Sequence, residues 1–288
     1  MSRWPPPPNV AASFFKAHGL GNDYLVFDEG DAWRASPDAV ARICDPHRGV
    51  GSDGIVVLMA DRSGDVFRAR MFNPDGSEFE RSGNGLRVLG AYLTRLAPER
   101  SRYVVEVGGE QVALKVHGRS GRELDISVEM GHAATGPDAV DLDPSALDEQ
   151  GRMAGPDGVP LPVVPVSVGN PHLVVLTDGP TEDDLDRIGA FLVGHPALAH
   201  GANVQLASRA GPGVLRALIW ERGVGPTSAS GTSACAVAVA AVREGWAQPS
   251  ELRVEMPGGV LSVTVSEGLD VVLRGPVEEI FTGTLLEG

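Results

Sequence analysis

Cysteine is scarce. Cys44 and Cys235 are the only two in 288 residues. They fall in opposite halves of the chain, so a disulfide framework is not expected, and a reducing cytoplasm is the compartment that fits. Long apolar runs are missing: none approaches the ~20 residues a helix needs to span a bilayer. Positive charge is also short, with 24 Lys and Arg against 38 Asp and Glu and a net charge of −14. That balance excludes nucleic acid and anionic membrane surfaces as expected partners, while a locally opposed site still admits a small anion. The N-terminus has no apolar signal region. It carries Pro5, Pro6, Pro7 and Pro8, and residues 1–13 read as a disordered leader.

Several catalytic signatures are absent too. There is no P-loop and no G-x-S-x-G elbow. G-V-G-S-D-G at 49–54 has the letters of the dinucleotide fingerprint, but it precedes the strand-like I-V-V-L-M instead of a helix and so lacks the phosphate cradle. His195 and His200 have no cysteine or carboxylate nearby at ligand spacing, so no metal site is expected.

What the sequence does hold is an internal echo. Ser82 and Ser230 lie 148 positions apart, and each opens a similar segment, S-G-N-G-L-R-V-L-G-A-Y-L and S-G-T-S-A-C-A-V-A-V-A-A. Asn22 and Asn170 share that offset, as do Asn73 and Glu221. A duplicated domain follows, which suits the chain's length. In the first half, strands are expected at 24–28, 55–59 and 68–72, a helix from Ser82 to about Arg95, and a hairpin at 103–107 and 111–116. In the second half, strand–turn–strand at 164–176, a strand at 214–221, a helix from Ser230 to about Glu244, and a hairpin at 252–256 and 260–265 repeat the order. The expected domains are 14–131 and 161–274. The Asp/Gly/Pro-rich stretch 132–160 reads as a linker, and 275–288 as a tail. Both helices are apolar on nearly every side, so each must be buried all round. The fold class is therefore α+β: two pseudo-symmetric domains, each a strongly curved mixed or antiparallel sheet wrapped around a central helix.

Serine is a favoured N-cap, and that alone accounts for an isolated serine before a helix. Two copies change the weighing. A buried helix whose first turn carries small residues (Gly83, Gly85, Gly231, Thr232, Ser233) offers free N–H groups and the positive dipole end to a carboxylate. Two such starts around one ligand suit removal of the weakly acidic α-hydrogen of an amino acid. The held carboxylate stabilises the developing charge, one group takes the proton, and another returns one from the opposite face. Asn22, Asn73, Asn170 and Asn203 lie in turns or at strand ends, where turn geometry explains each singly; together they suit amide clamps for a zwitterion. Glu221 and Arg222 end a strand and read either as a solvated ion pair or as site residues. His172 is a general-base candidate against a packed turn histidine. Arg87 faces a helix-surface carboxylate or a domain interface.

The motifs H-G-L-G-N-D-Y at 18–24, F-N-P-D-G-S at 72–77, S-G-N-G-L-R at 82–87, G-N-P-H at 169–172, A-N-V at 202–204 and E-R-G-V-G at 221–225 resemble the diaminopimelate epimerase family, in its order and spacing, from about Phe14 to the C-terminus. The resemblance implies a cofactor-independent isomerase interconverting LL- and meso-diaminopimelate in lysine and cell-wall synthesis. It implies two similar domains with the substrate between them, and a last strand near Phe281 returning to the first domain. Asn22, Asn73, Gly83, Asn84, Asn170, Asn203, Glu221, Arg222, Gly231 and Thr232 become substrate-binding positions, with Ser82, Ser230, His172 and Glu221 catalytic. The partner is a small diaminopimelate-like amino acid, and a homodimer is allowed because the family often dimerises. The chain departs from the family at its centre: both catalytic acid/base thiols are replaced, by Ser82 and Ser230. Pro226 stands where Glu is usual in E-R-G-x-G-E-T, and Val88 replaces a frequent cysteine. The change at Pro226 argues for natural divergence. A hydroxyl is far less acidic than a thiol and needs help to become a base. Cys235 lies more than a turn past Ser230 and reads as a small buried hydrophobe.

Three activities remain: an epimerase using the serines; an isomerase or lyase of the same fold with Glu221 and His172 as base, as in phenazine-pathway isomerases; or a silent homologue that binds an amino acid without turnover.

Overall fold

The computed structural model describes residues 4–61 and 64–286. The chain divides into two units, one running to Glu129 and resuming at Gly275, the other Met130–Arg274. The first unit contains β1 (Asn9–Gly19), β2 (Asn22–Glu29), α1 (Pro37–Cys44), β3 (Ile55–Leu58), β4 (Val66–Phe72), α2 (Gly83–Leu96), β5 (Arg102–Val107), β6 (Glu110–Ser120) and β7 (Glu123–His132), which ends just past the unit boundary. β1 and β2 pair antiparallel, β2 and β3 parallel, β3 and β4 antiparallel, β4 and β5 parallel, and β5–β6–β7 form an antiparallel run.

The second unit repeats this order. Its elements are β8 (Pro160–Ser167), β9 (Pro171–Leu176), α3 (Glu182–Leu192), β10 (Asn203–Gly211), β11 (Val214–Glu221), α4 (Gly231–Arg243), β12 (Glu251–Met256), β13 (Gly259–Val265) and β14 (Asp270–Thr284). The pairings run in the same sequence of senses, with β9–β10 and β11–β12 parallel. Parallel neighbours need a crossover. α1 and α2 supply the two in the first unit, α3 and α4 the two in the second. Sequence reading found only α2 and α4. The others start at Ser36, which caps ahead of Pro37, and at the capping box of Thr181 and Asp184.

The two long crossover helices are enclosed. Gly83 through Ala91 of α2 are buried without interruption, as are Ser233 through Ala241 of α4. Their small residues set the approach of the sheet: a Cβ at Gly90 would lie 3.3 Å from Ile126 Cγ2 on β7. Strand burial alternates where one face is wet, as in R-Y-V-V-E-V of β5. The final strand β14 pairs with β13 through Arg274, and further on with β1, where Phe281 lies opposite Lys16. Among the described residues no helix is long and apolar enough to cross a membrane.

Two expectations about organisation need correction. Of the leader 1–13, residues 1–3 lie outside the described residues, but Asn9 onward is strand β1. The prolines before it are tied down through their carbonyls, which stay good acceptors although proline lacks an N–H. Arg70 donates to Pro6 O at 2.7 Å and Pro5 O at 3.0 Å, and Ala35 N–H to Pro8 O at 2.9 Å. Nor is 132–160 a linker. It folds as short 3-10 turns and a strand, Arg152–Ala154, paired with β8, and buries Val140, Leu142 and Met153 against Leu173, Leu185 and Leu192. Its Asp and Pro residues serve as local caps, such as Asp143 accepting from Ser145 N–H, so a composition that resembles a tether encodes turns. Met153→Ala is expected to lower the unfolding free energy by about 2–4 kcal/mol in chemical denaturation, as for a buried methionine; a tether residue would change it by less than about 0.5 kcal/mol.

Candidate active site

In the first unit the polar residues gather where β2 begins and α2 starts. Ser82 is the N-cap of α2 with extended backbone (φ −126°, ψ 124°). Its Oγ accepts the Gly85 N–H at 3.0 Å and the Tyr24 O–H at 3.3 Å. Beside it Asn84 is buried. The buried Arg87, which has only donors, places Nη2 2.8 Å from Asn84 Oδ1. That fixes the amide: Asn84 Nδ2 faces the other way and donates to Asn22 O at 2.6 Å and Asn22 Oδ1 at 2.8 Å. The Asn22 side chain in turn hydrogen-bonds the Asp53 carboxylate. Arg87 thus sets the polarity of an amide relay ending at Asn22.

The second unit uses different chemistry at the corresponding place. Ser230 caps α4 with φ −150° and ψ 128°, but its side chain makes no cap hydrogen bond. Gly231 and Thr232 follow, half-buried, at the helix head. His172 stands 148 positions after Tyr24, yet it does not reach the cap. Its Nε2 is 2.9 Å from Asn170 Oδ1, and its Nδ1 is 3.0 Å from Gln205 Nε2, which also donates to Ser233 Oγ at 3.0 Å. The Gln205 amide can only donate to Nδ1, so the ring is neutral with its proton on Nε2, donated to Asn170. Burial pushes the ring pKa from 6.5 down to about 3, and the Gln205 N–H donated to Nδ1 also favours the neutral ring.

His172 is thus not placed as the general base that its residue type suggested. Its ring is fully buried, both nitrogens are occupied, and its basicity is far below the range useful near neutrality. It holds the Asn170 amide instead. Asn203 is held similarly: its Oδ1 accepts the Arg222 N–H at 2.9 Å, while its Nδ2 donates to Pro171 O at 3.4 Å. The Arg222 guanidinium donates to His200 O and Gly201 O. Glu221 ends β11 opposite Gly225, half-buried. Asn73 ends β4 in a tight turn, its Nδ2 on Ser77 Oγ at 2.9 Å.

Register explains the place of Pro226. Trp220 pairs with Pro226 in the second unit as Phe72 pairs with Glu78 in the first. Glu78 there holds Arg70 through two short hydrogen bonds, 2.7 and 2.6 Å; proline offers no such contact. Cys235 is fully buried within α4, and Cys44 is buried too.

The first unit thus brings together Asn22, Asn84, Arg87 and, through Tyr24, the Ser82 cap, while in the second a buried histidine holds Asn170 and is tied through Gln205 to Ser233 on α4. Sequence reading missed Tyr24 and Gln205. The available signal was strand periodicity: Tyr24 lies two residues after Asn22, and Gln205 two after Asn203, on the same strand face.

Comparison with known proteins identifies relatives along nearly the whole chain. The family model described as diaminopimelate epimerase matches residues 14–135 and 164–280. The diaminopimelate epimerase of Synechococcus sp. (strain JA-3-3Ab) is 35% identical over 292 residues, 96% of this chain and 98% of its own. That of Desulforudis audaxviator is 36% identical over 274 residues, 94% and 98% of the two chains. Among solved structures, a predicted epimerase from Pseudomonas aeruginosa shares the fold with a TM-score of 0.70 at 19% identity, covering 96% of this chain and all of the other. The chain belongs to the diaminopimelate epimerase family.

Proposed function

We propose that the protein is a cofactor-independent amino-acid epimerase acting on diaminopimelate, with Ser82 and Ser230 in the acid/base positions. The observation that carries this reading is that both serines occupy the N-cap of an enclosed helix. There the first-turn N–H groups and the dipole favour a carboxylate, and the serine side chain stands at the same helix head. In this reading one substrate is met by both helix heads. One serine, as its alkoxide, takes the α-hydrogen as a proton and becomes a hydroxyl; the carbanion beside the bound carboxylate is stabilised by the N–H groups; the other serine gives its hydroxyl proton to the opposite face and is left as the alkoxide. One C–H bond breaks and one forms, so no net proton is consumed. Asn22, Asn84, Asn170 and Asn203 orient the amino-acid groups, with Glu221 and Arg222 at the far polar end. Such a reaction belongs to lysine synthesis in the cytoplasm.

A carboxylate–imidazole base in place of the serines is disfavoured, because His172 is buried and its ring pKa is depressed to about 3. Glu221 would have to act alone.

With LL-diaminopimelate in deuterated water, the protein is expected to place deuterium on the α-carbon. Ser82→Ala and Ser230→Ala should each slow this by about 10²-fold or more. The double Ser82→Cys, Ser230→Cys variant should accelerate it, since a thiol at a helix head ionises far more readily. No deuterium at high protein concentration, together with ligand-dependent thermal stabilisation, would instead establish a binding protein without turnover.

The histidine provides an independent check. Its ring takes a proton near 6.5 when unfolded but only near 3 when folded. The unfolded chain therefore binds the extra proton between those values, and stability is lost as pH falls across that window, by up to about 1.4 kcal/mol per pH unit. Subtracting the stability profile of His172→Gln from that of the native chain should isolate this slope. A difference profile flat below 6.5 would show that the ring is accessible and titrates normally.

A further inference from the structure

The two serines are held differently, and the difference rests on one tyrosine. We propose that Tyr24 is a positioning residue that makes Ser82 the more acidic of the two serine hydroxyls, in a slot that Gly54 and Gly85 keep open for its ring.

Ser82 Oγ receives two hydrogen bonds, from Gly85 N–H at 3.0 Å and Tyr24 O–H at 3.3 Å. Donors aimed at an oxygen favour its ionised form, because each bond strengthens when the acceptor gains charge. Ser230 has no side-chain cap bond. The residue matching Tyr24 by offset, His172, turns to Asn170 and Gln205, so the second unit has no counterpart of the Tyr24–Ser82 contact.

The space for that contact is built in. A Cβ on Gly54 would lie 2.5 Å from Tyr24 Cε1 and 3.0 Å from Tyr24 Cζ, and a Cβ on Gly85 would lie 3.2 Å from Tyr24 Cε1. Tyr24 is itself 6% exposed, so its ring cannot swing aside without disturbing the core. The β2–β3 register, Leu25 opposite Ile55, corresponds to Leu173 opposite Val204 in β9–β10. Asn203 therefore stands in the second unit where Gly54 stands in the first, and Ser233 lies 148 positions beyond Gly85. Both glycines are thus replaced by residues with side chains in the unit that lacks the tyrosine. This gives Gly54, the last glycine of G-V-G-S-D-G, a steric task. The catalytic meaning of the asymmetry rests on the epimerase reading above; the asymmetry itself does not.

The test replaces each serine singly with cysteine in the full chain and titrates the introduced thiol by thiolate absorbance. Both native thiols are buried and common to every variant, so they cancel in the comparison; burial raises that of Cys44 to about 12. Charged groups near Ser82 are Arg81, which lies 3.4 Å from Glu110, and Arg87 on Asn84. They are common to all variants at this position and cancel in the comparison. The thiol introduced by Ser82→Cys is expected to titrate below that introduced by Ser230→Cys. Adding Tyr24→Phe should raise it by about one to two pH units while leaving the Ser230→Cys thiol unchanged. Gly54→Ala should raise it in the same direction. A Ser82→Cys thiol that Tyr24→Phe does not move, or that matches the one at 230, overturns the proposal. Because this readout needs no substrate, absence of α-hydrogen exchange in the native protein would reject the epimerase reading and leave the titration standing.

Discussion

The structure depends on enclosing an apolar helix inside a curved sheet. α2 and α4 have almost no polar face, so water is excluded on every side except at their ends. An enclosed helix still carries unsatisfied N–H groups at its start. With the flanks sealed, those groups join the polar side chains gathered at the helix start. The element that keeps the core dry is also the one whose start favours negative charge.

The amides around the helix heads are held by buried groups whose protonation is fixed. Arg87 is always a donor. His172 is kept neutral by burial and by the Gln205 amide, at the cost of leaving the buried Gln205 Oε1 without a hydrogen-bond partner, a penalty of about 1–3 kcal/mol. Each fixes which way an asparagine points, which matters because an amide flipped by 180° exchanges donor for acceptor. The two units reach this result by unrelated chemistry, guanidinium in one and imidazole in the other. A duplicated fold keeps its backbone plan while the side chains that service it diverge.

That divergence bears on the two serines. A thiol at a helix head needs little assistance to ionise, whereas a hydroxyl needs donors. Ser82 has two and Ser230 has no cap bond, so the positions are no longer chemically equal even though they remain topologically equivalent. Pro226 points the same way: it pairs with Trp220 where Glu78, at the matching place in the first unit, pairs with Phe72 and binds Arg70.

The sequence by itself determined the duplication, both enclosed helices, both hairpins, the serine caps and the family, because these follow from periodicity, from breaker residues and from a fixed offset between matched motifs. It misjudged the proline-rich N-terminus and residues 132–160, because composition reports the cost of ordering a segment and not the carbonyl acceptors or buried side chains that offset it. It could not assign His172 or Arg87, or notice Tyr24 and Gln205. Whether an imidazole is a base or a buried clamp depends on what surrounds it in three dimensions. Asn170 is a local neighbour, but Gln205, thirty-three residues away, is brought to the ring only by the pairing of parallel strands through a crossover.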